Sequence, residues 1–456
     1  MTHPGAHVTV SAPSRPPRRI LLLVLAAIVL TVPAVAASPA KPAKKKTHGT
    51  RRAAAPPLVW HVETLDGQVI DSHDADEPIN PASVTKVATT WWALEKLGPD
   101  HRYTTRFEAN GTIDRAKGLL KGDLVVRGAS DPDFQSENAF LVAAALNAAG
   151  VKKISGSVVV DGDFWMGWEN GSEGMIRDAD RRALTMAARL RGALDRNRWT
   201  GLTRWSWTQY AARHGVSPRV IPSVQILGGA RFDPNPPSGT VLFEHVSKPL
   251  VETLRRFNCF SNNDIERVAV PIGPATELSV LLADRLVAGD APVQISTASG
   301  LGENRLSPRQ IVAMMRAFRT SAQGMGLGIE RLLPVAGCDP GTVTAAFPRL
   351  ASEPFATSLV AKTGTLTSTD GGITVLAGFL NTAQGEVVFC VAVPHAAGKI
   401  HSARRTEESF LLGLLDRRGG AAPRTCAPPL ATPEDGASID DRTVASTTGG
   451  GGTSAR

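Results

Sequence analysis

The sequence predicts an α/β fold in which an antiparallel sheet is flanked by helices and interrupted by an inserted domain. Three observations predict it. Two late strand-like runs, Ile373–Leu380 and Glu386–Val393, are joined through Gln384-Gly385, the pattern of an antiparallel hairpin. The chain between Ser83 and Phe318 is rich in helix-period runs. Alternation in Thr104–Ala109 and in Ile154–Val160 places further strands within that helical stretch, as an inserted domain would. A chain of 456 residues also exceeds one ordinary domain.

In chain order, the N-terminus sets the expected compartment. Arg15, Arg18 and Arg19 precede an apolar run from Ile20 to Leu30, and Ala34-Val35-Ala36 offers a small-residue cleavage site. That is the layout of a secretory signal peptide over residues 1–36, with an Arg pair of the kind used in twin-arginine export. Eleven uninterrupted apolar residues are short for a membrane span of roughly 20 residues. A cleaved signal is therefore expected ahead of an uncleaved anchor, and the mature protein is expected in the periplasm or outside the cell. Residues 37–56 read as a basic, disordered linker that can touch anionic lipid or wall polymer, or simply be solvated.

The formal net charge of +8 comes from this leader. Residues 1–56 hold nine Lys and Arg and no Asp or Glu, so the rest of the chain carries one net negative charge. A nucleic-acid partner is excluded on that distribution.

The segment Asn80-Pro81-Ala82-Ser83-Val84-Thr85-Lys86 opens an apolar helix in which Val84, Val87, Trp91 and Leu94 recur at helical spacing, with Gly98-Pro99 as the stop. Residues three apart share a helix face, so Lys86 is expected beside the Ser83 hydroxyl. A serine hydroxyl is a weak nucleophile until a base takes its proton, and a buried lysine whose pKa is depressed can be that base. Alone, Ser83 reads equally well as a helix cap with Lys86 in solvent. Residues 105–242 follow as the inserted domain, Trp-rich and helical from Phe164 to His214, and especially so over Ala183–Leu194.

A helix-like stretch, Pro249–Phe260, leads into Ser261-Asn262-Asn263. A Ser and an Asn two apart in a loop can point the same way and offer a hydroxyl for proton relay and an amide for a substrate carbonyl; the bland reading is a turn. The last motif, Lys362-Thr363-Gly364, closes a strand-like run from Ala356 and precedes the hairpin. At a sheet edge, Lys362 supplies a cation and Thr363 a hydroxyl for a carboxylate, while Gly364 lets a substrate backbone approach. Beyond Arg417 the chain is rich in Ala, Pro, Thr, Ser and Gly, and residues 417–456 are expected to be a disordered tail. Cys259, Cys338, Cys390 and Cys426 allow three disulfide connectivities in an exported chain, and Cys390 also fits as a buried small residue. No cysteine or histidine spacing fits a metal, and no glycine loop fits a phosphate, so no metal or cofactor is expected.

The ordered set of the three motifs resembles the D-alanyl-D-alanine carboxypeptidase/endopeptidases, the low-molecular-mass (class C) penicillin-binding proteins that carry an inserted region. Further segments carry the resemblance: Pro78–Ser83 with Leu94–Gly98, Gly122–Gly128 with Asp131-Pro132-Asp133, Ser299–Ser307, and Leu333–Gly337 with Asp339. It covers roughly Val59 to His395. Two departures stand out. The stretch from Phe164 to His214 lacks the several strands of fuller relatives, and Thr297-Ala298 replaces the usual acidic residue and glycine.

The resemblance implies a serine β-lactamase/transpeptidase-like catalytic domain made of residues 57–104 and 243–416. It implies Ser83 attacking the carbonyl between two D-alanines of a peptidoglycan stem peptide, with Lys86 as base and Ser261 relaying a proton to the leaving group. Asn263 would orient the peptide. The oxyanion would rest between the backbone N–H groups of Ser83 and Thr365, and β-lactams would act as inhibitors. The rivals are a β-lactamase of the same fold, against which stands the absence of a Glu-x-x-Leu-Asn motif, and a non-catalytic wall-binding scaffold, against which stand the intact motifs.

Overall fold

The computed structural model describes residues 57–286 and 291–441. The expected signal peptide, the basic linker and residues 442–456 lie outside the described residues. Two sheets organise the rest. Strands β1 (Val59–Thr64) and β2 (Val69–His73) form an antiparallel pair, and α1 (Thr85–Leu97) follows. The chain then builds a second body. Its strands are β3 (Thr104–Asp114), β4 (Leu119–Arg127), β5 (Lys153–Ile154), β6 (Val158–Val160), β7 (Gln225–Ile226), β8 (Ala230–Phe232) and β9 (Thr240–Val246). Its helices are α2 (Ser136–Ala148), α3 (Ala179–Leu194) and α4 (Gly201–Arg213), the last two falling where the sequence is Trp-rich and helical.

The chain returns through α5 (Leu250–Phe260), α6 (Ile265–Ala269), α7 (Ala275–Arg285) and α8 (Pro308–Gly324). It ends with α9 (Thr342–Ala346), β10 (Leu359–Leu366), β11 (Ile373–Thr382), β12 (Gly385–Pro394), α10 (Ile400–Arg417) and β13 (Ser438–Asp440). The start of α8 follows from local chemistry. Ser307 and Gln310 exchange side-chain and backbone hydrogen bonds as a capping box around Pro308, a residue suited to a first helical turn. Among the described residues, no helix is long and apolar enough to cross a membrane.

The first sheet has the order β10–β11–β12–β1–β2 and is antiparallel throughout. Side chains alternate across a strand, and here both faces are covered. On one face Val375, Ala377, Phe379, Val388 and Cys390 join the core under α1 and α8; on the other, Leu376, Leu380, Phe389 and Val391 pack with Leu411 and Leu415 of α10. This explains why the sequence of β11 and β12 is almost continuously apolar. Trp91 and Trp92 of α1 are both 2% exposed, each ring contributing on the order of 3 kcal/mol by burial, so the helix after Ser83 is firmly seated.

The second sheet runs β13–β9–β3–β4–β5–β7; off this path β6 pairs with β4, and β8 pairs with β6. Its core joins Phe107, Leu124 and Val160 to Val142 of α2 and Leu190 of α3. α4 is held by a satellite cluster of Phe140, Trp199 and Trp207.

The expected disordered tail needs correction up to Asp441. Cys426 is bonded to Cys338, and β13 pairs with β9. The Pro428 carbonyl accepts from Arg255 at 2.7 Å, and the buried Glu434 carboxylate pairs with Arg213 and lies 3.4 Å from His214. A composition-based reading misses this segment because it has no hydrophobic period. It is held instead by a covalent link, a few carbonyls and three residues of strand.

Candidate active site

Ser83 sits in a single 3₁₀ turn, Ala82–Val84, just ahead of α1, rather than in the helix proper. No side chain caps α1, so Ser83 is not spent as a cap, and the capping alternative fails. Asn80 shapes the turn: its Oδ1 accepts from the Ala82 N–H at 3.0 Å, and its Nδ2 donates to Asp370 Oδ2 and the Gly302 carbonyl. Two glycines back the turn. A Cβ at Gly300 (φ +84°) would stand 1.9 Å from the Ala82 carbonyl oxygen, and one at Gly364 would stand 2.6 Å from that of Pro81. The near neighbour of Gly364 is thus the Ser83 turn itself.

Lys86, fully buried one turn on, brings Nζ to 2.8 Å from Ser83 Oγ, 2.8 Å from Asn263 Oδ1 and 2.6 Å from the Ser299 carbonyl. Burial pulls its pKa down to about 7, with the Glu266 carboxylate opposing. As a neutral amine, Lys86 has two N–H donors for Asn263 and Ser299 and one lone pair to accept from the Ser83 hydroxyl, so every bond is satisfied.

Ser261 is the C-terminal cap of α5 in a left-handed conformation (φ 52°, ψ 39°), which is uncommon for a non-glycine residue. There its Oγ accepts from Lys362 Nζ at 2.8 Å. Lys362 is fully buried on β10 and also donates to the Thr363 carbonyl. Burial, reinforced by the nearby Lys86, holds its pKa well below the lysine range. Thr363 Oγ1 lies 2.7 Å from Thr342 Oγ1 of α9, and Thr365 Oγ1 accepts from Arg404 at 3.1 Å. Ser83, Lys86, Ser261, Asn263, Lys362, Thr363, Gly364 and Thr365 therefore converge on one region, although they come from three separate parts of the chain.

Sequence reasoning missed several neighbours. Glu266 accepts from Ser299 Oγ and, through Oε2, from the Ser172 N–H at 3.1 Å. Asn170 Oδ1 accepts from Asn263 Nδ2 at 2.8 Å. The Asp264 carboxylate takes the Glu169 and Gly171 N–H groups at 2.9–3.0 Å. A loop of the inserted body is thus tied to the segment around Asn263. The only sequence signal was the string of acidic and amide residues after Ser261. At the position where Ala298 departs from the family's glycine, its carbonyl accepts from Thr89 Oγ1 at 2.5 Å, and the loop still delivers the Ser299 carbonyl to Lys86.

Comparison with known proteins places this geometry. The chain is 33% identical over 133 residues to the D-alanyl-D-alanine carboxypeptidase of Actinomadura sp. strain R39, a stretch covering 28% of this chain and 24% of that one. It is 23% identical over 401 residues to the D-alanyl-D-alanine carboxypeptidase DacB of Haemophilus influenzae, covering 70% of this chain and 81% of the relative.

The fold is shared with a predatory endopeptidase of Bdellovibrio bacteriovorus solved with an immunity protein (TM-score 0.68, 21% identity, 84% of this chain and 100% of that one). It is also shared with penicillin-binding protein 4 of Haemophilus influenzae (TM-score 0.54, 18% identity, 78% and 96%). A family profile matches residues 57–198 and 224–410. Because that match runs through the Ser83 turn, the loop after α5 and β10 alike, the chain belongs to the D-Ala-D-Ala carboxypeptidase 3 (S13) family.

Proposed function

We propose that this serine peptidase is a D-Ala-D-Ala carboxypeptidase acting on peptidoglycan stem peptides through a Ser83 acyl-enzyme. The observation that carries the reading is the 2.8 Å approach of Lys86 Nζ to Ser83 Oγ, with burial holding the amine near neutrality. Neutral Lys86 takes the Ser83 proton as Oγ attacks the penultimate D-Ala carbonyl. The oxyanion forms between the N–H groups of Ser83 and Thr365, at the rigid turn that Gly364 backs.

Ser261, accepting from Lys362, keeps its own proton free for the departing D-alanine nitrogen. Asn263, held by Lys86 and Asn170, orients the peptide. Water then cleaves the ester. β-Lactams enter the same path, since their carbonyl meets the same nucleophile; a Bdellovibrio neighbour of this fold was solved acylated by penicillin G.

Incubated with penicillin, the protein is expected to gain the mass of one penicilloyl group on Ser83 and to hold it, while releasing D-alanine from a pentapeptide. Intact-mass and amino-acid analysis read both. Rapid penicillin turnover without a lasting adduct would favour a β-lactamase. Neither signal in folded protein would leave a wall-binding scaffold.

Export by the N-terminal signal belongs to the same proposal. A disulfide between Cys338 and Cys426 suits an oxidising compartment outside the cytoplasm. The mature chain is expected to begin near Ala37. N-terminal sequencing that finds an intact Met1 on membrane-bound protein refutes this.

A further inference from the structure

On sequence grounds the substrate carboxylate belongs to Lys362 and Thr363. The ammonium group of Lys362 is poorly placed to supply the charge. It is fully buried, it is already committed to Ser261 Oγ and the Thr363 carbonyl at 2.8 Å each, and burial and Lys86 depress its pKa. A terminal carboxylate entering this site needs a cation from elsewhere. The structure offers one.

Arg404 lies on α10, behind the edge of the five-stranded sheet, and its Nη2 donates to Thr365 Oγ1 at 3.1 Å. Side chains alternate along a strand, so Thr363 and Thr365 leave β10 on the same face. β10 is the end strand of its sheet, with the Lys362–Leu366 portion running beside the nucleophile turn. A guanidinium has five N–H donors and stays charged at any working pH. Arg404 is half-buried, and among the described residues no carboxylate pairs with it. Its acidic neighbour one turn along α10, Glu407, is fully buried, and burial pushes its pKa up to about 8 against the opposing pull of the Thr374 hydroxyl and of Arg404. At neutral pH Glu407 therefore leaves the Arg404 charge uncancelled.

We propose that Arg404 is a substrate-binding residue that, together with the hydroxyls of Thr363 and Thr365, holds the terminal carboxylate of the acyl-D-Ala-D-Ala substrate. The assignment rests on the carboxypeptidase reading and deepens it. Charge and hydrogen bonding are divided: the threonines position the carboxylate, and the guanidinium supplies the charge that the buried Lys362 withholds. The site thereby selects a free C-terminus over a continuing chain.

The test compares the full-length wild type with Arg404→Met and Arg404→Lys. Each acts on an N-acyl-D-Ala-D-Ala peptide and on its C-terminal amide, and the rate of penicillin adduct formation is followed in parallel. Arg404→Met is expected to lose about 10- to 100-fold in kcat/KM on the free acid, the scale of a lost hydrogen bond to a charged group. The loss should fall mainly in KM, with little change on the amide and with partial recovery in Arg404→Lys. Equal losses on acid and amide, or an unchanged rate on the acid, overturn the role of Arg404 while leaving the peptidase reading intact. A wild type that neither releases D-alanine nor takes up penicillin overturns that parent reading, and the role of Arg404 with it.

Discussion

Lys86→Met is expected to slow acylation of Ser83 by roughly 10²- to 10⁴-fold, the range that positioned general bases contribute. Methionine keeps the length and apolar stem of lysine in a fully buried site, so the loss isolates the amine. The wild-type rate should rise with pH through about 7, as the Lys86 ammonium loses its proton, and the variant should show no such limb. The sign on stability is equally definite. Lys86 has a folded pKa below its unfolded value of 10.5, so wild-type stability should rise as pH increases from about 7 towards 10.5. The full effect is on the order of 5 kcal/mol, and Lys86→Met should lack this component. Stopped-flow acylation and denaturant melts across pH read both. A variant that acylates at the wild-type rate would remove Lys86 from the mechanism.

The second large effect concerns the strap beyond α10. The bond between Cys338 and Cys426 closes an 88-residue separation. Loss of such a link is expected to cost about 4.6 kcal/mol by chain-entropy arguments. Cys338→Ser with Cys426→Ser, or mild reduction of the wild type, should therefore lower Tm. It should also speed amide exchange in residues 418–441, which would then be held by β13 and by side-chain contacts such as those to Arg213, Lys248, Arg255 and Glu386. Cys259 and Cys390 are buried thiols and should resist the same reductant treatment without consequence. An unchanged Tm after verified reduction would mean that the short strand and ion pairs hold the strap unaided.

Local sequence chemistry determined much of this protein. The serine–lysine spacing three apart placed Lys86 on Ser83, because neighbours on a helical face meet whatever the rest of the fold does. Two strand-like runs and the short Gln384-Gly385 link foretold the β11–β12 hairpin, whose register closes on Thr382 and Gly385. The order of the three motifs pointed to the family that the profile match establishes.

Other features were decided only in three dimensions. Instead of any of the three two-bridge connectivities that four cysteines allow, the fold forms one bridge, Cys338–Cys426, and leaves Cys259 and Cys390 as buried free thiols. The pKa of Lys86 depends on burial and on Glu266, and that of Lys362 on burial and on Lys86, none of which a linear string contains. Thr365 and Arg404 are 39 residues apart in the chain, and Asn170 and Asn263 are 93 apart. Contacts of that kind carry no period and no spacing rule; they exist because sheet order and helix packing bring distant segments together. A short motif encodes the Ser83–Lys86 contact, while the charge and shape of the pocket around it emerge from packing.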